Sequence, residues 1–194
     1  MLILNLFGFS ITLIFILNNL IEGVENINKD NSISQFINQS NNRLILAYNV
    51  ALYKVINKQN ITDPIREQQL LNNVISTGKT LSLKEDYVKQ IFKDQINANK
   101  DIQNFYIELW KHQGTPKGEV PDLNNDIRPK INKINDNLLQ SLIQIQKISS
   151  SKDCLNKVNK AFNNFIMRIN QIDVINNSLK TSISHLCNYS KKNN

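Results

Sequence analysis

The chain has 194 residues, enough for one domain with little left over, and a formal net charge of +7. A basic excess of this size directs attention to nucleic acid, heparin-like polymers or an anionic small molecule. The lysines are scattered beside acids, as in Lys84–Glu85–Asp86 and Lys93–Asp94, and no basic run is interleaved with aromatics, which argues against a nucleic-acid surface.

The first stretch, LILNLFGFSITLIFILNNLI, carries no charge before Glu22. Its length raises a membrane-spanning helix as a rival. Its N-terminal place and the polar VENINKDNSISQ behind it favour a cleaved signal peptide over residues 1–23, although no Lys or Arg precedes the apolar run. Removal takes away Glu22 alone, so the charge rises from +7 to +8 and residues 24–194 form the mature domain, with no membrane attachment expected.

A first helix is expected over about Ser32–Asn57, where Leu44, Ala47, Tyr48, Ala51, Leu52 and Val55 recur at helical spacing. A second starts at Thr62 or Asp63, with Pro64 suited to its first turn, and Gly78 is expected to end it. A third runs from after Ser82 to about His112. Gly114–Pro121 holds half of the four prolines and reads as a loop, dividing a first helical half (24–113) from a second (122–194). In the second half Asp122 can cap a helix carrying Leu138, Leu139, Leu142, Ile145 and Ile148, with Pro129 early in it. Shorter helices follow over about Lys152–Ile169 and Val174–Tyr189. No useful strand alternation occurs, so the fold class is an all-α, single-domain bundle of about six helices. Cys154 and Cys187 lie at the ends of the last two helices. In an exported chain their even count favours a disulfide, closing a loop for roughly 4 kcal/mol on the chain-entropy account. Four Asn-X-Ser/Thr sequons, at Asn38, Asn60, Asn176 and Asn188, permit glycosylation.

Familiar catalytic signatures are missing: there is no phosphate loop, nucleophile elbow or H-E-x-x-H pair, and His112 and His185 read as helix-end residues. An enzyme built from this chain would need no metal, cofactor or covalent intermediate. What stands out is polar groups on apolar faces. Arg43 and Lys54 lie almost three helical turns apart on one face with Ala47, Val50 and Ala51. They either point inward or snorkel. Asp63, Arg66 and Glu67 share a face, as a site or as a helix-start charge cluster. Asn99 and Gln103 interrupt the third helix's apolar stripe, where buried amides need partners. Pattern breaks on three helices point to one shared internal pocket.

The stretches RLILAYNVALYK, ITDPIREQQLL and YVKQIFKDQINANKDIQ carry these residues, and together they resemble the helical chorismate mutase family. The later Pro121–Asp122–Leu123, Arg128 and the cysteine pair resemble its secreted branch, known in bacteria and plant-parasitic nematodes. The resemblance covers about residues 36–190 and implies an active site within one chain, with chorismate as the small-molecule partner. It implies that Arg43, Arg66 and Arg128 hold the substrate's two carboxylates, and that Lys54 and Gln103 donate to its ether oxygen. Asp63 and Glu67 would sit near the ring hydroxyl or order the cations, and Asn99 would complete the wall. Arg128 stands one residue further from Pro121–Asp122–Leu123 than the resemblance leads one to expect. A secreted location follows, with delivery to a host as a further implication; whether two copies form a homodimer is left open. A rival of another class is a non-enzymatic secreted bundle that carries lipid or binds a receptor, which would gain nothing from Lys54, Glu67 and Gln103. A third is a basic protein on anionic polymers, whose binding would depend strongly on salt.

Overall fold

The computed structural model describes residues 4–187, with side chains at Val24 and from Lys29 onward. Side chains of the expected leader, and the expected last helical residue Tyr189, lie outside what is described. The elements are α1 (Leu4–Ile56), α2 (Pro64–Thr80), α3 (Glu85–Gln113), a π-helical turn (Leu123–Ile127), α4 (Arg128–Ile145), α5 (Cys154–Ile166) and α6 (Asp173–Ser182). All are helical, as the missing strand alternation requires. Among the described residues no helix is long and apolar enough to cross a membrane.

The long α1 is the axis of the bundle, packing against α3, α4, α5 and α6. It does not start at Ser32, as expected, but runs through that residue. The polar stretch before it holds no proline, so nothing interrupts propagation, and Ser32 is itself buried. Ile33, Phe36, Ile37, Leu44 and Ala47 of α1 are fully buried against Ile91, Phe92 and Ile102 of α3 and Leu138 and Leu142 of α4. Each large side chain removed from water in this way contributes about 1.5–3 kcal/mol before entropy is counted.

α2 begins as its sequence dictates. Asp63 accepts the Arg66 backbone N–H at 3.0 Å, and Pro64 occupies the first turn. Gly78 does not end it. The left-handed residue is Ser82 (φ 58°), and the chain closes with Leu83 N–H to Gly78 C=O at 2.9 Å and Ser82 N–H to Lys79 C=O at 3.1 Å. Gly78 serves packing instead, because a Cβ there would stand 3.0 Å from Val88 Cγ2 on α3. The positive-φ glycine that follows a helix is Gly114 (φ 82°), opening the expected loop after α3.

The second half differs in detail. α6 stops at Ser182, short of the expected Tyr189, and residues 183–187 continue as turns. Carbonyls at the end of α6 and in these turns are taken by α3: Gln95 Nε2 donates to Ser182 C=O at 3.2 Å, and the Tyr87 hydroxyl to Leu186 C=O at 2.8 Å. His185 is therefore not a helix end; its Nδ1 lies 2.7 Å from Asp94 Oδ2. Burial pushes the Asp94 carboxyl above its ordinary range, and His185 pulls it back. The Cys154–Cys187 disulfide is formed, with the Cα atoms 5.7 Å apart, and ties the end of this segment to the start of α5.

Candidate active site

One end of α1, the 57–63 connection, α2, α3, the π turn and α4 enclose a cleft of about 640 Å³. That is room for a small ligand. The residues singled out from sequence come together here: Arg43, Lys54, Asp63, Arg66, Glu67, Asn99, Gln103 and Arg128 all line it. Lys58 and Lys100 line it too, so six cationic side chains face two carboxylates, a formal excess of four positive charges. Val50, Leu70, Ile96, Leu123 and Ile131 supply the apolar part of the wall.

Arg43 points inward and does not snorkel; it is 4% exposed. Its Nη1 donates to Gln95 C=O at 2.7 Å and its Nε to Asn135 Oδ1 at 3.2 Å. Burial lowers its pKa to about 10, so it stays charged at neutral pH. Both acceptors are neutral. A buried cation without a counter-ion is costly, and an anionic ligand would offset that cost.

Lys54 is also buried, and its Nζ donates to Ile61 C=O at 2.5 Å, closing the 57–63 connection over it. Desolvation draws its pKa below the ordinary lysine value. Asp63 and Glu67 oppose this, and Arg128 and Lys100 add to it. The Arg66 guanidinium is likewise lowered, first by burial and then by the like charge of Arg128.

Glu67 is spoken for by Lys100, whose Nζ lies 3.2 Å from both carboxylate oxygens. Asp63 caps the Arg66 backbone, fixing where α2 and its guanidinium begin. The alternative of a purely local charge cluster therefore fails for Glu67, which reaches across to α3. Gln103 Nε2 donates to Asn99 Oδ1 at 2.7 Å and over a long 3.5 Å to Asn99 C=O, while Asn99 Nδ2 reaches Arg43 C=O at 3.4 Å. The buried Gln103 Oε1 has no protein partner among the described residues. A buried, unpaired amide oxygen costs about 1–3 kcal/mol, and Gln103 is the one of five such described side chains that lines the cleft.

Arg128 reaches the cleft through the π turn, with Nη1 donating to Asn124 Oδ1. Asp122 caps the turn by accepting Asn124 N–H at 2.7 Å and Asn125 N–H at 2.6 Å. The bonds that define the turn, Ile127 N–H to Asp122 C=O and Arg128 N–H to Leu123 C=O, span five residues instead of four. The turn spends one more residue than an α-helical turn would before Arg128. Pro129 then falls in the first turn of α4, where its missing N–H costs nothing.

Four residues escaped the sequence reading: Lys58, Gln95, Lys100 and Asn135. Gln95 stands at i−4 from Asn99 and i−8 from Gln103, so it continues a visible polar line. Asn135 stands at i−3 and i−4 from Leu138 and Leu139, another break in an apolar side. Lys100, beside Asp101, reads as a solvated pair. Among the described residues no three or more His, Cys, Asp or Glu side chains gather as a metal site would require.

Residues 29–104, which contribute most of this cleft, match the family model described as chorismate mutase type II. The chain is 23% identical over 156 residues to a secreted chorismate mutase of Mycobacterium tuberculosis, covering 80% of this chain and 78% of that protein. A crystal structure of chorismate mutase from Burkholderia thailandensis superposes with a TM-score of 0.78 at 28% identity, covering 80% of this chain and 99% of that one. The secreted chorismate mutase from Yersinia pestis gives 0.65 at 25% identity, over 78% and 94% of the two chains. In its all-helical fold, its cationic cleft and these relatives, the chain is similar to the helical, type II chorismate mutases.

Proposed function

We propose that this protein is a secreted chorismate mutase that converts chorismate to prephenate within one chain. The observation that carries this reading is the buried Arg43, held among the described residues by neutral acceptors in a cleft with four excess positive charges. Such a cleft suits a small dicarboxylate. It does not suit a lipid, for which the desolvated Lys54 would be a penalty.

The reaction is unimolecular: the ether C–O bond breaks as a C–C bond forms, and no proton or nucleophile is needed. Arg43, Arg66 and Arg128 bind the two carboxylates, using the guanidinium's two-pronged donor geometry. Holding both fixes the compact conformer in which the reacting carbons approach. Lys54 and Gln103 Nε2, which exchanges its long 3.5 Å contact with Asn99 C=O for the substrate, donate to the ether oxygen as negative charge gathers on it. Because both are already ordered and desolvated, little reorganisation opposes them. Asp63 sets the start of α2, Glu67 holds Lys100, and Asn99 orients Gln103. Chorismate is the partner, and no cofactor takes part.

The secreted relatives and the disulfide support an extracellular location, with residues 1–23 as a cleaved leader; delivery into a host, where chorismate would be available, is the accompanying biological proposal. Purified protein should consume chorismate, followed by loss of its ultraviolet absorbance, and yield prephenate. A folded, disulfide-intact protein that leaves chorismate unchanged would refute the assignment.

A further inference from the structure

Asn135 takes no part in the roles assigned above, does not line the substrate cleft, and yet is 4% exposed on the core side of α4. It lies behind Arg43, in the wall of a second groove of about 350 Å³ between α2 and α4. Apolar residues fill the equivalent places one and two turns on, at Leu138, Leu139 and Leu142. An amide among them costs stability unless it is paired. Its Oδ1 is paired, accepting from Arg43 Nε at 3.2 Å.

We infer that Asn135 is a positioning residue: it aims the Arg43 guanidinium at a substrate carboxylate while leaving its charge unspent. This rests on the reading of the cleft given above. The plane of a guanidinium is fixed when two of its donors are held from different directions. Here the second holder is the Gln95 carbonyl, which belongs to the α3 backbone and cannot be removed by changing a side chain. Together they use two of the five donors and leave three for a ligand. The chemical identity of the holder matters as much as its place. An aspartate at 135 could accept the same hydrogen bond, but it would form an ion pair with a buried cation and compete with the substrate carboxylate. A neutral amide holds without competing.

The test is steady-state kinetics on chorismate with thermal melting, for the full chain and for Asn135→Asp and Asn135→Leu. Asn135→Leu keeps the branched outline, is somewhat bulkier, and removes the acceptor. It should raise KM about tenfold and change kcat by less than about threefold, because Arg43 meets a charge present in both ground and transition states. Asn135→Asp should raise KM at least as much while melting at or above the wild-type temperature, since it gives the buried cation a partner. A purely structural role would move melting temperature and activity together, and could not separate them in the aspartate variant. Either variant, if folded with a wild-type KM, would overturn the inference while wild type turns over. A wild type without turnover would overturn the reading of the cleft itself.

Discussion

Lys54 and Gln103 differ from the arginines in when their partner acquires charge. The carboxylates are charged before the reaction begins, whereas the ether oxygen becomes negative only in the transition state. Lys54→Ala is therefore expected to lower kcat by about 10²–10³ with a small effect on melting temperature, and Arg66→Ala to raise KM as well. Desolvation lowers the Lys54 pKa, and only its protonated form donates. Activity should accordingly fall on the alkaline side beginning below the ordinary lysine value of about 10.4, as a kcat–pH profile would reveal. Gln103 does not titrate, so no acid-side limb should arise from it between about pH 5 and 8. In Gln103→Glu only the protonated acid donates, and the optimum should move downward; coincident profiles would mean that Gln103 does not meet the ether oxygen. Arg43, Lys54, Asn99 and Gln103 were legible because they interrupt or flank apolar faces, whereas Arg128 was legible only through the family resemblance. Lys100 was not, because a lysine beside an aspartate looks solvated until Glu67 is brought to it from α2.

At the level of elements, the sequence indicates helix type and order well and helix ends less well. Gly78 shows why. A glycine after an amphipathic run signals a stop when it supplies positive φ, but here its value is a missing Cβ at the α2–α3 contact, which only the tertiary structure reveals. Gly78→Ala would ordinarily gain up to about 1 kcal/mol of helix propensity. Against Val88 it should instead lower the melting temperature by a net cost of about 1 kcal/mol, and Val88→Ala should relieve part of that cost in the double variant. A single variant more stable than wild type would show that Val88 yields freely. α6 ends early for a related reason: side chains of α3 capture the Ser182 and Leu186 carbonyls, a long-range competition invisible to local propensity. The π turn before Arg128 is equally tertiary, since nothing in LNNDI alone forces a five-residue repeat.

Across the whole molecule, stability and catalysis draw on different parts. The cleft belongs to α1–α4 and the π turn, whereas the Cys154–Cys187 bridge fastens the C-terminal turns to α5. Reduction should cost about 2–4 kcal/mol of stability, read by denaturant unfolding, while kcat at a temperature where the reduced protein stays folded changes little. N-terminal sequencing of exported protein should find a start near residues 20–27; retention of Met1 in a membrane fraction would favour an anchor. The most direct measurement of the central claim is chorismate turnover by wild type and Lys54→Ala, assayed side by side with their melting temperatures. The account predicts rapid conversion to prephenate by wild type and a fall in kcat of about 10²–10³ in a variant that melts almost unchanged. Equal turnover by the two proteins, or none by a folded wild type, would contradict it.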